Sequence, residues 1–181
     1  MNIIVADVTS AVVAAKKATS TIPIVMTSIT DPVGTGLVTS LARPGGNITG
    51  LINITAELGG KFVELLKEIV PKLNHVTVLM IESATSEVFI KETEIPARAL
   101  GVQLIPAVVR GPDDFEGAFR AMAKERANGL VNRLPSSAYS PHFKRLAELA
   151  MRSRLPSTQG NATWTNAGGL VSCGQDPNAS Y

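Results

Sequence analysis

Cysteine occurs once in the 181-residue chain, at Cys173, so no internal disulfide can form and the redox compartment is left open. That cysteine is also far from the N-terminus, which excludes it as the lipid-bearing residue of a lipoprotein. Histidine occurs twice. His75 falls at an expected strand start and His142 in the opening turn of an expected helix, each in a solvent-facing place. Neither adjoins a serine elbow or another metal ligand, so no catalytic residue, metal site or cofactor is expected. Aromatic residues make up 4% of the chain, so the core must be built from Val, Ile, Leu and Ala, the usual filling of helix-covered parallel sheets. No run of eighteen apolar residues occurs, which excludes membrane insertion by a helix. The formal charge is only +2, with Lys and Arg scattered over helix faces, so nucleic acid is not an expected partner. The glycines of Gly34-Thr35-Gly36-Leu37-Val38-Thr39 lack both the order and the lysine of a P-loop, and Thr39 takes the third glycine position of GxGxxG. Nucleotide binding is excluded on that ground.

What the chain does have is alternation. Hydrophobic residues make up 45%, enough for a core, and short apolar runs alternate with helical-period segments from end to end. This is the pattern of βαβ units around a parallel sheet. Strands are expected over 3–6, 22–26, 47–51, 76–81, 102–107, 129–134, 156–158 and 170–172, and helices over 10–18, 33–41, 57–70, 86–100, 113–126 and 141–153. Ser140 before Pro141 and Asp113 read as helix caps. Pro96 should kink the helix that contains it. The turn Arg43-Pro44-Gly45-Gly46-Asn47 reads as a helix end and chain reversal. A Gly/Asn/Thr-rich passage gives way near 51–57 to a charged amphipathic helix, which marks a lobe boundary. Residues 1–52 then read as part of one lobe, 53–174 as a second α/β lobe, and 175–181 as the start of a returning segment.

In a doubly wound sheet of order 2-1-3-4-5, ligands bind beyond the carboxyl ends of the strands where the order reverses. In the second lobe that point lies between the loop carrying Ser83, Thr85 and Ser86 and the loop carrying Ser136 and Ser137. Both loops are rich in hydroxyls and open into helices, whose unpaired N–H groups suit a carboxylate. Thr9 and Ser10, then Ser28, Thr30 and Asp31, occupy the matching strand ends of the first lobe. Asn161 follows a later strand end. Each hydroxyl taken singly is as readily an ordinary cap, worth about 1 kcal/mol. Convergence on one sheet edge in both lobes is what favours a ligand cleft, with the two sets facing each other. Asp31 could bind a ligand ammonium or cap the helix entered through Pro32. Trp164 could stack on a ligand or pack under the turn at Gly168 and Gly169. Cys173 reads as a small buried strand residue.

The stretch 27–50, Thr-Ser-Ile-Thr-Asp-Pro-Val-Gly-Thr-Gly-Leu-Val-Thr-Ser-Leu-Ala-Arg-Pro-Gly-Gly-Asn-Ile-Thr-Gly, joins a buried strand to a polar loop and a Gly-rich turn. Together with 14–24, Glu64-Leu65-Leu66-Lys67-Glu68, Ala97-Arg98-Ala99-Leu100-Gly101-Val102, Arg154-Leu155-Pro156 and Ala167-Gly168-Gly169-Leu170-Val171-Ser172, it resembles the substrate-binding proteins of ABC importers, specifically the tryptophan/tyrosine-type branch. The resemblance runs along essentially the whole chain. It implies an α/β fold of the two-lobe, periplasmic-binding-protein-like type I, with parallel sheets flanked by helices and an incomplete first lobe. It also implies a protein that is not an enzyme. Such proteins close around a small solute, here an aromatic or apolar amino acid, and deliver it to a permease and ATPase of the importer. A periplasmic or extracytoplasmic location follows from the resemblance, although Met1–Val5 lacks the features of a secretory signal. The chain opens on what resembles a late strand of the first lobe and stops where a returning helix should begin, so a fragment is expected. A cytoplasmic ligand sensor or a small α/β enzyme on the same fold is the alternative.

Overall fold

The computed structural model describes residues 2–29, 31–52 and 58–174. The chain divides into two compact units, Met1–Thr55 and Ala56–Tyr181. Each holds its own parallel sheet.

In the smaller unit β1 (Ile4–Ala6), β2 (Ile24–Ile29) and β3 (Ile48–Ile52) pair in that order, and α1 (Thr9–Ala18) crosses between the first two. The register aligns Ile4 with Ile24 and Ile24 with Ile48, so period-two alternation sends these isoleucines to one face. There they pack with Val12 of α1 and with Leu37 and Val38. The other face carries Val5 and Leu51, which are exposed.

The helix expected over 33–41 does not form; this stretch is a series of turns. Asp31 Oδ1 accepts the Gly34 amide at 2.7 Å, and the Pro32 carbonyl accepts the amides of both Leu37 and Val38. Gly36 sits at φ 68, a left-handed conformation that breaks a helical run. The apolar pair Leu37 and Val38 still reaches the core, and Lys16 Nζ ties the segment to α1 by donating to the Gly36 carbonyl at 2.5 Å and to that of Leu37 at 3.3 Å. With no helix before it, the 43–47 turn ends none. It does reverse the chain, closed by Thr39 Oγ1 donating to the Arg43 carbonyl at 2.8 Å and by Gly45 at φ 77.

The larger unit has strand order β5-β4-β6-β7-β8, all parallel. Its strands are β4 (His75–Met80), β5 (Gln103–Val108), β6 (Gly129–Asn132), β7 (Ser157–Gln159) and β8 (Val171–Ser172). The helices are α2 (Gly59–Ile69), α3 (Ala84–Ala99), α4 (Phe115–Lys124), the short α5 (Ser136–Tyr139), α6 (Phe143–Arg152) and the short α7 (Thr163–Asn166). The central β4 and β6 are buried on both faces almost throughout, which explains their continuous apolar runs. Ladders shrink outward from β4: six residue pairs with β5, four with β6, then two for β6–β7 and two for β7–β8. One face packs Phe62, Val63 and Leu66 of α2 and Phe89 and Ala97 of α3 against Val76, Val78 and Val131. The other packs Phe119, Phe143, Leu146 and Trp164 against Leu79 and Leu130.

Local signals fared unevenly. The helix α3 continues past Pro96 for three more residues, although the proline has no N–H to offer the carbonyl one turn before it. Asp114 and not Asp113 precedes α4, and its carboxylate accepts the Arg110 amide at 2.8 Å instead of capping. Ser140 is inside a 3-10 turn, Ser140–His142, entered from Tyr139, and makes no cap hydrogen bond. Cys173 is half-buried one residue past β8, against the α2 side of the core. His142 is not solvent-facing alone: its ring packs edge-on to Phe115 and Tyr139.

Candidate functional site

The strand order of the larger unit reverses at β4, with β5 on one side and β6 on the other, so the carboxyl ends of β4 and β6 form the switch point. The β4 end leads into Ser83, an extended residue at φ −165 that precedes α3 and whose Oγ accepts the Ser86 amide at 3.2 Å. Its hydroxyl also lies 2.9 Å from that of Ser86. Ser86 is buried and begins the stripe Ser86, Phe89, Thr93, Ala97 by which α3 faces the core. A groove of about 620 Å³ at the ends of β4 and β5 is lined by both serines, with Glu82, Glu87, Arg110 and Asp114 around them. A groove of about 690 Å³ lies at the opposite, amino ends of β4 and β5, beside His75, Arg98 and Gln103, away from the hydroxyl-rich strand ends.

The β6 end is more densely polar than its apolar run suggests. Asn132 is 1% exposed; its Oδ1 accepts the Leu134 amide at 3.1 Å while Nδ2 has no partner. Gln159, at the end of β7 and 5% exposed, donates from Nε2 to Ser136 Oγ at 3.1 Å and leaves Oε1 without a partner. Between them in sequence, Arg133 places its guanidinium carbon 4.5 Å from the centre of the Phe89 ring, with Nε buried and unbonded. Burial pulls its pKa down to about 10, a desolvation penalty on the order of 3 kcal/mol. Buried polar atoms are ordinarily satisfied, so such exceptions at the ends of the neighbouring strands β6 and β7 are unusual; Asn132 and Arg133 point to opposite faces of the sheet.

Among the remaining expected site residues of this unit, Ser136 opens α5 and is engaged by Gln159, whereas Ser137 is exposed. Asn161 is half-buried and uses Oδ1 to accept the Thr163 amide at 2.8 Å, which starts α7. Trp164 is fully buried, edge-on to Phe143 at 5.6 Å, and the Gly169 backbone lies directly over its indole. It packs under the glycine turn and offers no face to a ligand.

In the smaller unit, Thr9 begins α1, half-buried, and Ser10 follows it, exposed. Val8 just before them has φ 63, and Asp31 after β2 has φ 50. A left-handed β-branched residue costs on the order of 1–3 kcal/mol, and such strain concentrates at functional sites. Val8, the strained one, follows the carboxyl end of β1; Asp31, a residue type that enters the left-handed region readily, follows that of β2. Thr27 Oγ1 donates to Asp7 Oδ1 at 3.0 Å, tying the ends of β1 and β2 together. The Asp31 carboxylate closes its own turn at Gly34, and its carbonyl accepts the Thr35 hydroxyl at 2.8 Å. Thr30 lies outside the described residues, as do the side chains of Ser28 and Thr85.

Asn132, Arg133 and Gln159 were not among the expected site residues. One signal could have found them: polar residues closing buried strand runs, where an unpaired Arg is rarest.

Parallel sheets flanked by helices, matched to solved structures of the same architecture, give the periplasmic-binding-protein fold of type I. Residues 1–179 match the family model described as ABC transporter substrate binding protein, and the chain belongs to that family. It is 27% identical over 186 residues to a tyrosine-binding protein of Clostridioides difficile (strain R20291), an alignment covering 97% of this chain and 50% of that protein. A conserved domain protein from Vibrio cholerae O1 biovar El Tor is 28% identical with a TM-score of 0.80, covering 93% of this chain and 56% of that one. An ABC domain from Streptococcus pneumonia, solved in complex with L-Trp, matches in fold at 23% identity with a TM-score of 0.79, covering 93% of this chain and 57% of that one. The chain spans about half the length of the curated relative it matches.

Proposed function

We propose that this chain belongs to the extracytoplasmic solute-binding component of an ABC importer, that it takes a small amino-acid-like solute, aromatic or apolar in its side chain, and that it catalyses no reaction. The solute would be passed to a permease and ATPase of the same importer. The observation that supports this most is the set of polar groups at the carboxyl ends of β4, β6 and β7, in a chain of the substrate-binding family. Bound solutes of that kind carry a carboxylate, which helix starts and hydroxyls are suited to hold. The proposed contacts are Ser83, Thr85, Ser86, Ser136, Ser137 and Asn161 from the larger unit, with Thr9, Ser10, Ser28, Thr30 and Asp31 from the smaller one. Ser10 and Ser137 are exposed hydroxyls, as ligand contact requires. The proposed mechanism is hinged closure, in which the solute stabilises the closed arrangement by its differential affinity for it.

Calorimetric titration of the full-length protein with a panel of the twenty amino acids tests the reading. Micromolar binding of one or a few members, tyrosine and tryptophan among the first to be tried, is expected. Absence of binding across the whole panel, or turnover of any member, overturns it.

A further inference from the structure

The residues after β6 alternate in direction, Leu130 and Leu134 facing the α4 and α6 side and Val131 facing the α2 and α3 side. Arg133 shares the direction of Val131, and its guanidinium comes to rest over Phe89. A guanidinium keeps its charge at physiological pH and carries five N–H donors. The ring face attracts the charge but uses none of those donors. Four ion pairs occur among the described residues, Lys61–Glu64, Arg98–Glu94, Arg145–Glu116 and Arg152–Glu148, and Arg133 takes part in none. No described side chain or carbonyl accepts a hydrogen bond from it, and Nε is shut away from water. Ser86 lies one helical turn before Phe89 on the same buried stripe, so the amino end of α3, with its own partial positive charge, is near the guanidinium. The strand end thus holds a preformed fork of donors close to a helix start, with Glu82 and Glu87 on the neighbouring groove, and the residue retains part of its solvent exposure.

We propose that Arg133 is the anion anchor of the site and that it holds the carboxylate of the solute by a two-pronged, charge-assisted contact beside the start of α3. The proposal rests on the solute-binding reading for the identity of the anion's owner, and on the unpaired guanidinium for the anchor itself. An arginine without an internal carboxylate is complementary to a planar carboxylate, which a lysine in its place could meet only as a point charge. Phe89 then acts as the floor that keeps the fork in position.

The test uses the full-length protein with Arg133→Gln and Arg133→Lys. Sodium benzoate and L-tyrosine are the carboxylate probes, and L-tyrosinamide is the matching probe without the carboxylate. Benzoate should raise the unfolding midpoint of the parent protein above that in sodium chloride of equal ionic strength; the rise should vanish in Arg133→Gln and shrink in Arg133→Lys. L-tyrosine should bind the parent roughly tenfold or more tighter than its amide, with most of that preference lost in Arg133→Gln. An absent benzoate effect in the parent, or an equal one in parent and Arg133→Gln, overturns the anchor even where an amino acid binds. A benzoate effect that depends on Arg133, with no amino acid bound, keeps the anchor and refutes the amino-acid reading. Should Arg133→Gln fail to fold, Arg133→Lys decides, since an undiminished preference for L-tyrosine over its amide in that variant overturns the two-pronged contact.

Discussion

Gly59 and Thr93 bring α2 and α3 together so closely that a Cβ on the glycine would fall inside the space of the threonine hydroxyl. That hydroxyl is buried and has no hydrogen-bond partner. The same helix pair holds Phe62 and Phe89 with ring centres 6.3 Å apart, and so fixes the platform on which Arg133 rests.

Gly59→Ala should therefore destabilise the protein by about 1–3 kcal/mol, although alanine is the better helix former. Urea unfolding measures it. The double variant Gly59→Ala/Thr93→Ala should lose less than the sum of the two single changes, because the overlap with the hydroxyl is gone. Strict additivity would mean that the two residues do not press on each other.

Gly50 lies at φ 142 and a Cβ there would run into the backbone carbonyl of Met26 on β2. Gly50→Ala should cost more than about 2 kcal/mol, from strain and from loss of the β2–β3 ladder. Amide protection should fall in β1 to β3 and hold in β4 to β6. A variant as protected as its parent in β2 would contradict this.

The two serine sites separate stability from binding. Ser83→Ala removes the acceptor for the Ser86 amide and should lower stability by about 1 kcal/mol as well as weaken solute binding. Ser137 is exposed, so Ser137→Ala should stay within about 0.5 kcal/mol in stability while weakening binding by about 1 kcal/mol. Paired denaturation and calorimetry distinguish the two; unchanged affinity in Ser137→Ala removes it from the site.

Arg133 should also leave a mark on the pH dependence of stability. Its folded pKa, about 10, lies below the ordinary arginine range because burial desolvates the guanidinium, so the folded state resists carrying this proton. The unfolded chain binds more protons between the folded value and that range, and by linkage stability rises with pH there. Without solute, Arg133→Met should thus unfold at the same or a higher temperature than the parent at pH 7. The difference should stay constant up to about pH 9 and narrow as pH passes 10. A variant less stable than its parent at pH 7, with a gap independent of pH, would show the guanidinium to be a net structural support.

The alternation of strands and helices was legible because its cause is local: period-two and period-3.6 apolar patterns identify elements without knowledge of their partners. The order of the larger sheet, β5-β4-β6-β7-β8, is the doubly wound order 2-1-3-4-5 expected for such alternation. The turns after Asp31 were not legible, because Val33, Leu37 and Val38 mimic a helical face while Gly36 and the doubly used Pro32 carbonyl decide otherwise. The hydroxyls of Ser83 and Ser136 were visible as helix starts. Arg133, Asn132 and Gln159 were overlooked since their character depends on contacts far along the chain: Gln159 meets Ser136, 23 residues away, and Arg133 meets Phe89 on another element.

The outward shrinking of the ladders, from six pairs beside β4 to two beside β8, implies an order of opening. A strand held by two rungs frays at little cost, whereas β4 is clamped along its whole length on one side and most of it on the other. Amide hydrogens should therefore exchange with deuterium first along β8 and β7 and last along β4, so the sheet unzips from one margin. Gln159 sits on the loosening side of that gradient and Arg133 on the firm side. The strand end that carries the anion fork stays in place while its neighbour yields.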